Sequence, residues 1–301
     1  MGDDNGHIAR RLDRRASWTA QFCAAERAAE SMLAPHRRRL DDPYARHFVT
    51  HPLLRPALHN TFAATIFVAG IEHQSPGLHA FVVLRARHVE EVCRLALDDG
   101  IDQIILLGAG FDTTSLRLNT TPVTVFEVDA PSTLADKRSI TEHLLPRDAA
   151  VRVVWTPCDL EHDPLQERLL AGGFDPKRQS VVVWMGVTMF LTTDAIGTTL
   201  TDLNALCAPG SLLVFDYADV DVITGASRTK GARRVARSVK RRGEPYRTGF
   251  TPTTIESFAA RYGFACAEHL GTATLFDRYA MGHSSRPTDQ GWLTVTTAVR
   301  R

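Results

Sequence analysis

Gln103 to Leu118, QIILLGAGFDTTSLRL, decides how this 301-residue chain folds. Ile104, Ile105, Leu106 and Leu107 form an unbroken apolar run, the pattern of a strand covered on both faces. Gly108 and Gly110 remove the Cβ where the backbone turns and comes close to something. Asp112 can accept from the free N–H groups of the next turn as a helix N-cap, with Thr113 and Thr114 behind it. The stretch reads as strand, glycine turn and helix start. It has the first two glycines of a nucleotide-type turn, but Thr113 stands where the third would be. That argues against a pyrophosphate seat.

The next strand narrows the ligand. Pro122 to Asp129, PVTVFEVD, ends in two acids. An acid about 20 residues beyond the glycine turn, at the end of the second strand, can accept both hydroxyls of a ribose. Glu127 and Asp129 lie two apart, hence on one side of the strand, so that one can hold the ribose while the other orients the turn. A ligand with an adenosine and no phosphate suits this pair of signals, and S-adenosylmethionine is such a ligand.

Outward from this centre the chain alternates. Strands are expected near 103–108, 123–128, 151–156, 180–185 and 211–216, and helices over 131–143, 165–172 and 193–208. That is the signature of a mostly parallel sheet with helices on both faces and ligands at the carboxyl ends of the strands. Asp159 and Leu160, Met185 to Phe190 and Asp216 to Asp219 fall at such ends. Two closing strands are expected at 264–270 and 292–299, behind a helix from Thr251-Pro252 to Arg261. The first third has no clear strand. It reads as a loose polar start over residues 1 to about 15, a helix from Ser17 to about Leu40, short helices broken at Pro52, Pro56 and Gly70, and an amphipathic helix from Phe81 to about Asp98. The expected division is a helical cap over 1–90 and an α/β domain over 91–301.

Composition excludes several classes. With 44% hydrophobic and 23% charged residues and a net charge of +1, the chain is an ordinary globular one with no global case for nucleic acid. No apolar run approaches a membrane span. Cys23, Cys93, Cys158, Cys207 and Cys266 show no metal-ligand spacing and read as reduced thiols of a cytoplasmic protein. Ser227 to Arg242 holds eight Lys and Arg and no acid. It reads as a solvated helix face, a lid over an anionic substrate or a docking face for an acidic carrier protein. Base-stacking aromatics are not interleaved there.

Taken together, DDPYARHF (Asp41–Phe48), RARHVEE (Arg85–Glu91), LLGAGFDTTSLRL (Leu106–Leu118), FEVDAP (Phe126–Pro131), CDL (Cys158–Leu160), GVTMFLT (Gly186–Thr192) and GEPYRTGFTP (Gly243–Pro252) resemble the leucine carboxyl methyltransferase-like family of S-adenosylmethionine-dependent methyltransferases. The bacterial branch with polyketide O-methyltransferases of the tetracenomycin type is the part it is similar to, over roughly residues 17 to 270. The resemblance implies a Rossmann-like class I methyltransferase sheet, with an N-terminal helical cap and a helical lid insertion at about 217–252. It implies that Arg85 pairs with the methionine carboxylate of the cofactor, guanidinium meeting carboxylate through two bonds. It also implies that Gly108, Ala109 and Gly110 pass under the cofactor, that Asp129 takes the ribose, and that Asp159 and Leu160 take the adenine. Met185 stands where the family usually carries a glutamate of the cofactor site, which removes a partner for the cofactor's ammonium, and Phe190 replaces a tyrosine.

The expected chemistry is O-methylation of a carboxylate or hydroxyl of a small natural product. A carboxylate needs no general base. A phenol would, and His47, His73, His79 and His88 are available in or near the cap. Tyr44, Thr188, Phe190, Tyr246 and Arg247 are the candidate acceptor-pocket residues; no catalytic residue and no metal ligand is assigned. Met185 also leaves open a relative with non-methylating chemistry, a rearrangement or cyclisation. A nicotinamide dehydrogenase would need a glycine near 113 and a catalytic Tyr-Lys or His, and the sequence makes no case for either.

Overall fold

The computed structural model describes residues 17–280, 287–288 and 291–301. The loose start expected over residues 1 to about 15 lies outside them. Seven strands form one sheet: β1 (Gln103–Leu107), β2 (Val123–Asp129), β3 (Val151–Pro157), β4 (Val181–Trp184), β5 (Leu212–Ala218), β6 (Phe264–Leu270) and β7 (Leu293–Arg300). Their order is β3-β2-β1-β4-β5-β7-β6. The first five strands are parallel, and β7 runs antiparallel between β5 and β6. The order reverses between β1 and β4, the place where an open α/β sheet leaves a crevice at its carboxyl edge.

The apolar run of β1 is buried because it feeds two cores. Ile104 and Leu106 pack with Phe81, Leu84 and Val89 of a long helix on one face. Ile105 and Leu107 pack with Leu165, Leu169, Ile196 and Leu200 on the other. Successive side chains of a strand point to opposite faces, so only a continuous apolar run satisfies both layers.

The helices, in chain order, are α1 (Trp18–Ser31), α2 (Thr61–Gln74), α3 (Leu78–Asp98), α4 (Thr114–Arg117), α5 (Pro131–Leu144), α6 (Leu165–Ala171), α7 (Thr193–Leu206), α8 (Val220–Thr224), α9 (Lys230–Arg241), α10 (Pro252–Arg261) and α11 (Thr272–Tyr279). Ser17 caps α1 by accepting from the Ala20 N–H. The helix ends at Ser31, well before Leu40. A helical Pro35 would lack its N–H and press its ring on the carbonyl four residues earlier. Gly70 does not break α2; it lies inside it with open space where a Cβ would go. The division expected near residue 90 falls inside α3, whose Phe81, Leu84 and Val89 belong to the sheet's own core. Helices α8 and α9 fill the expected insertion after β5.

A cluster of buried ionisable groups fastens α1 to α3. His79 Nε2 lies 2.9 Å from Glu30 Oε2, and its Nδ1 is 3.7 Å from Glu26 Oε1. Burial alone would lower the His79 pKa, but the two carboxylates outweigh it and push it up to about 9. A raised histidine stabilises the fold fully below its unfolded value of about 6.5 and loses that contribution as pH rises through the folded value. The melting temperature is therefore expected to fall between pH 7 and 10. His79→Gln should flatten that slope, read by thermal denaturation across the range. An unchanged slope would show that the cluster does not carry it.

Candidate functional site

A cavity of about 340 Å³ opens at the carboxyl ends of β1 to β4. The segments after those strands form its floor, α1 and α3 one wall, and the strap Gly243–Arg247 the other. The strand order lays its chemistry out in a line. Asp159 and Leu160 follow β3, Asp129 ends β2, Gly108 to Gly110 follow β1, and Met185 and Gly186 follow β4. At a strand spacing of about 4.8 Å this line is roughly 14 Å long.

Each part is braced. The glycine turn has positive φ at Gly108 (58°) and Gly110 (43°). A Cβ on Gly108 would collide with the Val187 side chain, and one on Gly110 would lie 3.3 Å from Ala20. What approaches these two glycines is therefore the loop after β4 and helix α1, while their backbone lines the cavity. Asp129 Oδ2 accepts from the Gly110 N–H at 2.6 Å, and Oδ1 from the Ala130 N–H at 2.7 Å. Burial raises its pKa against those bonds. Glu127 lies deeper and is fully buried, accepting from Lys137 Nζ at 2.5 Å and Ser115 Oγ at 2.7 Å, while Lys137 Nζ also donates to the Ala109 carbonyl at 3.1 Å. Both acids orient the turn, and of the two it is Asp129 that lines the cavity.

Thr113, in the place of a third glycine, has a physical reason. Its hydroxyl donates to Asp42 Oδ2 at 2.6 Å, and that oxygen also accepts from Arg27 Nε at 2.9 Å. Arg27 Nη2 donates to the Phe111 carbonyl. The turn is bolted to the cap through Asp42, which a glycine at 113 would not allow. Asp112 Oδ1 accepts from the Thr114 N–H at 2.6 Å, but the N-cap of α4 is Thr113, so Asp112 braces the turn just before the helix instead of capping it. Burial would raise its pKa, but Arg27, Lys137 and Arg117 together draw it below the usual carboxylate range.

At the β4 end, Arg85 reaches the cavity with a side chain 12% exposed, ion-paired through Nη1 to Asp216 Oδ2. Asp216 Oδ1 accepts from the Gly186 N–H at 2.6 Å. Gly186 has a φ of 73°, and a Cβ there would sit 3.2 Å from the guanidinium. Cys23 Sγ lies 3.5 Å from Arg85 Nη2.

The acceptor candidates separate. Phe190 and Arg247 line the cavity, and Arg247 Nη1 donates to Glu161 Oε1 at 3.2 Å. Tyr44 belongs elsewhere: it packs in the cap, its hydroxyl accepting from Asn119 Nδ2 at 3.2 Å. Thr188 is buried under the floor, donating to the Asp216 carbonyl. Tyr246 packs behind Phe190, with ring centroids 5.1 Å apart, and is not among the lining residues. In each case the side chain is needed for packing or for a backbone carbonyl. The sequence reading gave no role to Cys23, Asp216 or Glu244. Glu244 lines the cavity and accepts from Thr19 Oγ1. Only Asp216 carried a signal, its place at the end of a strand. Among the described residues no group of three metal-capable side chains gathers, and no helix is long and apolar enough to cross a membrane.

The sequence pattern of leucine carboxyl methyltransferases matches residues 20–204. The chain belongs to the leucine carboxyl methyltransferase family. A Frankia alni protein whose name assigns it to the S-adenosyl-L-methionine-dependent methyltransferases is 33% identical over 66% of this chain and 68% of its own length. A Bacillus subtilis protein with the same assignment is 28% identical over 65% and 64%. A solved structure from Thermobifida fusca, described as a methyltransferase, superposes with a TM-score of 0.55 at 17% identity, covering 90% of this chain and 96% of that one. A Streptomyces avermitilis structure of the DUF574 family does so with a TM-score of 0.54 at 17% identity, covering 81% and 92%. Those two likenesses concern the fold. The cofactor of leucine carboxyl methyltransferases, S-adenosylmethionine, fits the donor set of the cavity. A guanidinium stands at one end, a carboxylate in the middle and a second carboxylate at the other end, in the order a carboxylate, a ribose and an adenine amine require.

Proposed function

We propose that the protein transfers the methyl group of S-adenosylmethionine to an oxygen of a small natural product such as a polyketide, giving a methyl ester or ether. The line from Asp159 through Asp129 and the glycine turn to Arg85 carries this reading. In it, Asp159 and Leu160 meet the adenine, Asp129 the ribose hydroxyls, the backbone of Gly108 to Gly110 the middle of the cofactor, and Arg85 its carboxylate. When bound, the cofactor supplies an electrophilic methyl group; the residues orient it, exclude water and align the acceptor. Phe190 and Arg247 face the acceptor.

A carboxylate acceptor is favoured over a phenol because His162, the histidine that lines the cavity, stands beside Asp159 at the adenine end, and none of the four cap histidines is placed to take a proton. His79 is locked to Glu26 and Glu30. His88 sits 2.8 Å from the Tyr279 hydroxyl, its pKa lowered to about 4 by burial, and His47 and His73 do not line the cavity. The same proposal places the protein in the cytoplasm, supported by its five free thiols.

Titration calorimetry with S-adenosylmethionine and S-adenosylhomocysteine tests it. Micromolar binding of both is expected, and methyl transfer is ruled out if neither binds at high micromolar concentration. Met185 bears on the second reading, a family member with non-methylating chemistry, because it places a thioether on the cavity where the resemblance calls for a carboxylate. Met185→Glu should tighten both ligands about 10- to 150-fold through one charge-assisted bond to the ammonium, worth about 1.5–3 kcal/mol. Adenosine, which has no ammonium, should bind the variant as it binds the parent.

A further inference from the structure

Helix α9 carries a stripe of six exposed cations, Lys230, Arg233, Arg234, Arg237, Lys240 and Arg241. Their spacing of three and four residues puts them on one face for three turns, about 16 Å of helix. The opposite face is committed inward, with Ala232 and Val239 buried and Val235 and Ala236 packed on the sheet's core. Lys230 repels Arg233 and Arg234, and Arg237 repels both of those as well as Lys240 and Arg241. The other charged helices avoid this. Glu90 pairs with Arg94 on α3, and Arg138 with Glu142 on α5. No carboxylate partners the α9 stripe among the described residues; Arg233, Arg234 and Arg237 donate to the carbonyls of Ser227, Gln74 and Arg233. The first turn of α9 has no acid to suit the helix dipole either. An ordinary solvated face mixes signs, whereas this one accumulates a single sign in a chain of net charge +1.

The stripe also leads to the cavity. Directly after α9, Arg242 stacks on the Trp18 ring at 4.6 Å, and Glu244 accepts from Thr19. Residues 243–247 then become the cavity wall.

We infer that α9 is the docking face for an acidic protein domain that delivers the acceptor, held on a flexible arm, over the strap and into the cavity. The inference rests on the methyltransferase reading and adds its partner. Charge complementarity selects the occupant. The helix offers no aromatic side chain on which nucleic-acid bases could stack. Its apolar side chains are spent on the core, so none remains to enter a membrane.

The test uses the full chain with three labelled probes: a Glu-rich helical peptide of about five turns, a single-stranded RNA of matched charge, and vesicles containing phosphatidylserine. The peptide is expected to bind, at least tenfold more weakly when salt is raised from about 0.05 to 0.3 M because exposed charges are screened. Arg233→Glu/Arg237→Glu/Arg241→Glu should weaken it by a further tenfold or more while leaving S-adenosylhomocysteine affinity unchanged and the melting temperature no lower, since like-charge repulsion along the helix is relieved. The inference is overturned if the triple variant binds the peptide as the parent does, or if RNA or vesicles bind the parent more tightly. Failure of the parent to bind S-adenosylhomocysteine would instead strike at the methyltransferase reading, which the peptide arm does not measure.

Discussion

Arg85→Met is expected to weaken S-adenosylhomocysteine binding by about 100-fold or more and to destabilise the fold at the same time. The first effect follows from removing the guanidinium that the proposed function sets against the ligand's carboxylate; losing one partner of a buried hydrogen-bonded charge pair costs about 2–5 kcal/mol. The second follows from Asp216. Its side chain is fully buried, and Arg85 is the cation that balances it. A buried carboxylate stripped of its partner costs about 3–5 kcal/mol. The two effects separate in Arg85→Met/Asp216→Asn. The amide still accepts from the Gly186 N–H, so stability should largely return while ligand affinity stays low. Calorimetry and thermal denaturation on the three variants read this out. Undiminished affinity in Arg85→Met would remove the arginine from the cofactor site.

Lys137→Met has the other large expected effect, and it acts below the cavity rather than in it. Lys137 is fully buried and holds Glu127 together with the carbonyl of Ala109. Without it, Glu127 keeps only the Ser115 hydroxyl. The loss should be about 3–5 kcal/mol, or a fall of roughly 10 °C in melting temperature for a chain of this size. Burial already raises the Glu127 pKa with the lysine present. In the variant that carboxyl should take up a proton readily, so the deficit relative to the parent should shrink as pH falls toward 5 and grow above neutrality. Adding Glu127→Gln should recover most of the loss at pH 8. A deficit independent of pH would mean that lost packing, not a stranded charge, is responsible.

The centre of the molecule was legible because its determinants are local. An apolar run, two glycines and a strand ending in acids all fall between Gln103 and Asp129, and the closing strand expected at 264–270 is β6 at its observed bounds. Parts assembled across long separations were not legible. Asp216 meets Arg85 across 131 residues, and Glu244 meets Thr19 across 225. No spacing rule links such pairs, since the sheet order brings them together. Tyr44, Thr188 and Tyr246 were misplaced for a related reason. Their motifs mark segments near the cavity, but within each segment packing decides which side chain faces it. Thr188 turned down to the Asp216 carbonyl, leaving Phe190 at the surface of the cavity. Thr113 read only as a missing glycine, because its partner Asp42 lies 71 residues away.

The walls of the cavity come from segments far apart in the chain, Ser17 with helix α1 on one side and the strap at 243–247 on the other. Synthesis runs from the N-terminus, so a nascent polypeptide on the ribosome has a complete binding chamber only after residue 247 has left the exit tunnel. Bound cofactor cannot template the earlier stages of folding. It can only lock a molecule that already has both walls, fastening helix α1 to a segment made more than 200 residues later.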